Sequence, residues 1–307
     1  MGGAVASCPL FVPNPVKNYL RIGDGPRAVD GTGSLDLVMD WAARWKEIVN
    51  ERAGDAGPHA DPGYWDRRSA SFARSTQARA DEFLKVVEPF LSPRKTLIDA
   101  GAGAGRHAVP LSERLEWVTA VEPSEGMRSK IPPRDNMTIV ASTWEDAAVA
   151  PADLVICSHV LYGVTDPEPF ISKLDRCARE RVFIMLRESD LPHPAAAIRA
   201  RLLAGRVHGA HPGSTAPRMP RFSDLFMLLM QMGIAPDVRF LSYPSQTRYA
   251  DFDEALVDAR GLVGDAWDES TGRSMLEELL TRDGEDLVFD GGSVLSGVAH
   301  WQPRAKT

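Results

Sequence analysis

Leu97-Ile98-Asp99-Ala100-Gly101-Ala102-Gly103-Ala104-Gly105-Arg106 is the stretch that decides the fold. Two apolar residues lead in, an acid follows, and three glycines then alternate with alanine. This reads as a short buried strand, a tight turn and the first turn of a helix. Glycine tolerates positive φ and has no Cβ, so the backbone turns sharply and a ligand can lie against it. A glycine loop that opens a helix at the carboxyl end of a parallel strand is a nucleotide-type site.

Upstream of the turn, Leu35, Val38, Met39, Ala42, Trp45, Ile48 and Val49 follow helical spacing from Ser34 onward. Gly54, Gly57 and Pro58 mark a linker. Asp61-Pro62-Gly63 opens a second helical stretch that starts at Tyr64 and runs, with a break near Ser75, to about Glu88. Pro89 and Pro93 then deliver the chain into the first strand at Thr96. Ahead of all this, residues 1–35 are rich in glycine and proline, and Phe11-Val12 and Tyr19–Ile22 read as short edge strands or part of a partly ordered tail.

Downstream, a helix is expected over His107–Leu115 with Pro110 in its first turn or at a kink. Strands follow at Trp117–Val121, Met137–Ala141, Asp153–His159 and Arg181–Leu186, with Ser124 and Asp166 as helix caps between them. Apolar runs alternating with helices five times predict a doubly wound parallel sheet covered on both faces. Past Arg187 the rhythm changes. Pro194–Leu203 looks helical and residues 205–221 irregular. Ser223 reads as the cap of an apolar helix, Leu225–Met232, whose three methionines belong to the core, with Phe222 stapled onto Met227. Val238–Tyr243 is a sixth strand, Phe252–Leu262 and Met275–Leu280 are helices, and Ser293–Trp301 is the last strand.

The expected architecture is therefore α/β, with a Rossmann-like, seven-stranded, mostly parallel doubly wound sheet. It carries an N-terminal helical extension and helical insertions near the C-terminus. Residues 1–60 form the arm and first helix, and 61–307 form the main domain, in which 190–285 include a substrate lid.

Composition narrows the function. The 307 residues are 44% hydrophobic and 25% charged, with a net charge of -7, so bulk charge gives no support to a nucleic-acid partner. No apolar run reaches membrane-span length, and Met1–Ser7 lacks the positive start of a signal peptide. Cys8, Cys157 and Cys177 are widely spaced, which predicts a reducing, cytoplasmic setting and a core role for Cys157. A homodimer is left open. His208 and His211, with His193 nearby, have metal-like spacing but no accompanying cysteine or carboxylate, so no metal site is expected. The segment is more credible as lid.

A dinucleotide fold wants G-x-G-x-x-G; this loop is G-x-G-x-G behind an acid. S-adenosylmethionine has no pyrophosphate but carries an ammonium, a sulfonium, a ribose and an adenine. Asp99 is placed to accept from the ammonium, and the glycines let the backbone approach the methionyl part. Glu122, ending the second strand, can accept from both ribose hydroxyls. That acid alone would serve NAD equally well; Asp99 and the glycine spacing decide against it.

LIDAGAGAGRHAVPL, VTAVEPSEGM, STWED and DLVICSHVLYGVTDPEPF, spread over residues 64–187, together resemble the class I S-adenosylmethionine-dependent methyltransferases, in their small-molecule branch. The resemblance implies that Asp99, Gly101, Gly103 and Gly105 hold the methionine and Glu122 the ribose, with Pro123 and Met127 on the adenine side. Thr143-Trp144 stand where the family usually has an Asp before a small or apolar residue, which substitutes stacking for a hydrogen bond. Ser158 and His159 line the cofactor, Tyr64 and Trp65 cap it, and Arg67 or Arg68 lies near its carboxylate or on a solvated face. The family also implies an antiparallel last strand.

In-line methyl transfer needs alignment, and a base only when the acceptor arrives protonated. His159 is the candidate base, weighed against a structural role in the pocket; Tyr162 would orient an acceptor or simply pack. The leading expectation is methyl transfer from S-adenosylmethionine to a small molecule. Alternatives are a non-catalytic, regulatory S-adenosylmethionine-binding protein, a nicotinamide-dependent oxidoreductase, or an RNA or protein methyltransferase using Arg199, Arg201, Arg206, Arg218 and Arg221.

Overall fold

A computed structural model describes residues 39–53, 63–77, 81–204 and 218–304. The tail strands, the linker glycines and His208 and His211 lie outside them. In chain order the helices are α1 (Trp41–Ala53), α2 (Tyr64–Gln77), α3 (Glu82–Val87), α4 (Ala108–Ser112), α5 (Glu125–Arg128), α6 (Pro167–Cys177), α7 (Pro194–Ala204), α8 (Phe222–Gln231), α9 (Phe252–Val263) and α10 (Glu269–Leu279). The strands are β1 (Thr96–Ala100), β2 (Trp117–Val121), β3 (Met137–Val140), β4 (Ala152–Ser158), β5 (Ala178–Arg187), β6 (Asp237–Tyr249), β7 (Thr281–Asp283) and β8 (Asp286–Trp301).

The sheet runs β3-β2-β1-β4-β5-β8-β6, with short β7 added on β8. β1 to β5 are mutually parallel, and β8 is antiparallel to both β5 and β6. Alternate residues of the central strands feed two cores. Ile98, Val155, Cys157, Val182 and Ile184 pack against α1, α6 and α8 on one face. Leu97, Leu154, Ile156, Phe183 and Met185 pack against α3 and α4 on the other. Burial on both faces is why these strands read as unbroken apolar runs. α1 joins the first core through Trp45 and Val49, and its indole donates to the Val164 carbonyl.

Several local expectations are corrected. β3 is an edge strand, so Ile139 stays exposed. α4 ends at Ser112, and Pro110 sits in its first turn, where a missing N–H costs nothing. α8 begins at Phe222, not after Ser223; Asp224 accepts the Arg221 N–H and pairs with Arg218. Phe222 does not staple onto Met227 but fills the space over Gly297, where a Cβ would lie 2.2 Å from its ring. Met227 and Met230 are exposed, while Leu225, Leu228 and Leu229 form the buried stripe. Asp166 occupies the cap position of α6 without capping it, and pairs instead with Lys46.

β6 and β8 are longer than expected. Pro244 reads as a strand breaker, but β6 is an edge strand, and a register shift between Pro244 and Gln246 lets the ladder continue. The prolonged β6–β8 ribbon rises past the carboxyl ends of the parallel strands. There α7, α9 and α10 share a small core of their own, with Ile198, Leu256, Ala259 and Leu276 at its centre.

Candidate active site

The glycine turn is built by three left-handed residues, with φ of 80°, 56° and 82° at Gly101, Gly103 and Gly105. The turn is tied to the end of β2, where the Gly101 and Ala102 N–H groups both donate to the Val121 carbonyl. It has no spare room on two sides. A Cβ on Gly101 would lie 2.3 Å from Val160 Cγ2, and one on Gly105 would lie 2.9 Å from Val109 Cγ2.

Two buried acids flank the loop. Glu122 accepts from Gly103 N–H at 2.8 Å and from Ser124 N–H at 2.9 Å, one bond to each carboxylate oxygen. Each oxygen keeps a further lone pair, so this carboxylate can still receive two donors. Burial pushes its pKa up, and the two N–H bonds oppose that. Asp99 is 1% exposed, and its Oδ2 has no hydrogen-bond partner among the described residues. Burial pushes its pKa up to about 6; nearby Glu122 adds to the rise, while His107 and the Ala108 N–H oppose it. A buried carboxylate oxygen without a donor is costly unless a ligand supplies one.

α2 covers the loop. Its Asp66 Oδ1 accepts from Ser124 Oγ at 2.5 Å and from Gly126 N–H at 2.8 Å. Ala73 packs with Ala104 and Met127, and Trp65 and Phe72 close over them. The other side of α2 is clasped by the upper helices. Arg68 pairs with Asp258, Arg74 with Glu254, and Ser75 Oγ accepts the Arg248 N–H. Asp258 also receives Tyr249 and His193, whose Nδ1 accepts the Ala195 N–H.

At the carboxyl ends of β4 and β5, His159 is the one non-glycine residue with positive φ, 61°, among the described residues. Its N–H donates to the Met185 carbonyl. Its Nδ1 lies 2.8 Å from Tyr162 Oη and its Nε2 3.2 Å from Tyr243 Oη. Tyr162 Oη also accepts the Arg187 N–H. Tyr243 Oη is in turn hydrogen-bonded to Ser296 Oγ at 2.8 Å. Burial, reinforced by Arg187, holds His159 well below its ordinary pKa, and burial pushes Tyr162 up to about 12. The ring is thus a neutral imidazole with both nitrogens occupied.

An oxygen acceptor left open at the glycine turn and a paired-lone-pair acid after β2 suit a methionyl nucleoside. Residues 72–225 match the family described as a methyltransferase domain, half of the chain. The chain belongs to the class I S-adenosylmethionine-dependent methyltransferases. No curated protein matches it in sequence. Among solved structures it is similar to a methyltransferase from Bacillus halodurans, at 11% identity over 74% of this chain and 100% of that one, with a TM-score of 0.46. A methyltransferase from an antibiotic biosynthesis pathway of Anabaena variabilis gives 16%, 73%, 99% and 0.48 for the same measures. Magnesium protoporphyrin IX methyltransferase from Synechocystis, with bound S-adenosylhomocysteine, gives 15%, 77%, 86% and 0.41.

For this methyltransferase the structure brings Asp99, the three glycines and Glu122 to one edge of the sheet, with Ser158 and His159 across the turn of Val160. Pro123 is exposed beside them, and Met127 is buried under α2. Trp144 offers no stacking face: it is 3% exposed, its indole donates to the Phe170 carbonyl, and Lys173 lies over its ring. Its large apolar surface is more stable in the first core than at an open loop, whereas Thr143 beside it is exposed. The Tyr64 hydroxyl accepts from Arg68, and Arg68 pairs with Asp258; Trp65, expected with Tyr64 as a cap, packs with Phe72 over Ala73, Ala104 and Met127. Asp66, Tyr243, Ser296 and Arg187 were not foreseen. Arg187 alone had a signal, since it follows the apolar run of β5 as Ser158-His159 follow that of β4. Among the described residues, no group of three or more His, Cys, Asp or Glu could hold a metal ion, and no helix is long and apolar enough to cross a membrane.

Proposed function

We propose that this methyltransferase binds S-adenosylmethionine against the glycine turn and passes its methyl group to a small-molecule acceptor held at the carboxyl ends of β4 and β5. The observation that carries the reading is the buried, donor-less Asp99 Oδ2 beside three left-handed glycines. Asp99 would receive the ammonium, the Gly101–Gly105 backbone would pass beneath the methionyl chain, and Glu122 would take the ribose hydroxyls with its remaining lone pairs. Pro123 and Thr143 would border the adenine. The bound cofactor supplies a methyl carbon activated by its sulfonium.

The chain's own residues align and exclude water. α2 closes the loop through Asp66, Trp65 and Phe72, and the helical layer of α7, α9 and α10 acts as the lid over the acceptor. His159 positions rather than deprotonates. With one ring nitrogen bonded to Tyr162 and the other to Tyr243, its lone pair is already engaged in a hydrogen bond. Acceptor chemistry that needs no enzymic base before transfer fits this arrangement, the lost proton passing to water afterwards.

Calorimetric titration with S-adenosylhomocysteine tests the reading. One molecule should bind per chain, and Gly103→Val should abolish binding while the fold persists by circular dichroism. Unchanged affinity in Gly103→Val would remove the glycine turn from the site.

A further inference from the structure

We propose that the acceptor carries a carboxylate, and that Arg187 is the residue that binds it; this rests on the methyl-transfer reading above. Arg187 ends β5, at the sheet edge where ligands of open α/β folds sit. Its backbone N–H fixes Tyr162, and its guanidinium lies over the Tyr162 ring, 4.4 Å from the centroid. It is half-buried, and its only other polar contact among the described residues is a weak one, to Met219 Sδ at 3.7 Å.

The neighbouring charges make this unusual. Arg218 is held bidentately by Asp224, at 2.5 and 2.8 Å. Arg221 pairs with Asp190 at 3.2 Å. Glu188, next in sequence to Arg187, accepts the Ser223 N–H at 2.9 Å instead. Asp190, Asp224 and Glu188 are thus all engaged by other groups, and no carboxylate pairs with Arg187 among the described residues. A guanidinium presents a planar fork of donors that fits a carboxylate with two parallel bonds. Removal of the cation from bulk water strengthens that pairing relative to an exposed arginine.

The placement also gives the pairing a use. Arg187 reaches Tyr162, Tyr162 reaches His159, and His159 follows the last residue of β4. An acid anchored on Arg187 is therefore held beside the residues that border the expected position of the methyl carbon. Anchoring by a remote charge contributes alignment without touching the reacting atoms.

The test uses the full chain saturated with S-adenosylhomocysteine and calorimetric titration with benzoate, acetate, benzamide, acetamide and phenyl phosphate. The proposal expects at least one acid to bind roughly tenfold or more tighter than its amide, as a charge-assisted bond implies. Arg187→Met should abolish that preference and Arg187→Lys should restore part of it, with S-adenosylhomocysteine affinity and thermal midpoint unchanged in both. Acids binding no better than amides, or an acid preference that survives in Arg187→Met, would overturn the proposal. Tighter binding of phenyl phosphate than of benzoate would overturn the carboxylate in favour of a phosphate. If S-adenosylhomocysteine does not bind the wild-type chain, the methyl-transfer reading fails; the same acid and amide pairs on the ligand-free chain then judge Arg187 separately.

Discussion

Replacing Gly101 by alanine strains the glycine turn in two separable ways. The first is conformational: a φ of 80° places any Cβ against its own backbone, which costs roughly 1–2 kcal/mol. The second is packing, because the new Cβ would lie 2.3 Å from Val160 Cγ2 and 3.0 Å from Cγ1. Overpacking of this kind costs about 1–3 kcal/mol. Together these predict a loss of roughly 2–5 kcal/mol, a large share of a domain's net stability. Val160→Ala removes both Cγ atoms and leaves a Cβ contact of 3.3 Å, which is tight but tolerable. The double variant should therefore recover the packing part and keep the conformational part. Urea denaturation of the four proteins in the cycle measures this, with equal slopes required for the comparison. A coupling of about 1–3 kcal/mol in the favourable direction is expected. Strict additivity, or a Gly101→Ala cost within about 0.5 kcal/mol of zero, would refute the described turn geometry.

If Asp99 receives the cofactor ammonium as proposed, stability and S-adenosylhomocysteine binding should respond oppositely to pH. Its folded pKa of about 6 lies above the ordinary 3.8, so its contribution is fully present below about pH 4 and disappears as pH rises through 6. That displacement is worth roughly 3 kcal/mol. An ammonium needs the ionised acid, so S-adenosylhomocysteine should bind more tightly as pH rises from 5 to 7, and Asp99→Asn should flatten the curve in calorimetry. Glu122→Ala leaves the part-buried Gly103 N–H and the buried Ser124 N–H without their acceptor, at a cost of roughly 1–3 kcal/mol for the buried one; a denaturation midpoint equal to wild type would contradict that bridge. Arg68→Met leaves buried Asp258 with only His193 and Tyr249, and should destabilise by roughly 3–5 kcal/mol. Hydrogen exchange should rise first in residues 252–263, and uniform protection there would argue against the clasp between α2 and α9.

Much of the sheet was legible because its strands are buried on both faces. Leu97-Ile98, Leu154–Cys157 and Val182–Leu186 cannot be anything but interior. The glycine turn and its two acids were legible for a related reason: left-handed backbone restricts the choice to glycine, and the acids are adjacent in sequence to the strand ends that place them. Edge elements were read less well. Pro244 looks like a stop only if β6 has a neighbour on both sides, and which strand is the edge is a property of the assembled sheet.

What the sequence determined by itself is the nucleotide-type half of the site, because strand, turn and acid there are contiguous and each residue type answers to local backbone geometry. What only the tertiary structure decided is how the polar side chains are spent. His159 reads as a candidate base in the sequence, and only the fold brings Tyr162 and Tyr243, the latter 84 residues away, to its two nitrogens. Trp144 reads as a stacking surface until Phe170 and Lys173 enclose it. Arg187 reads as one arginine among many until Asp190 and Asp224 are seen paired with its neighbours. Hydrogen-bond capacity is finite, and its distribution depends on contacts between residues far apart in the chain.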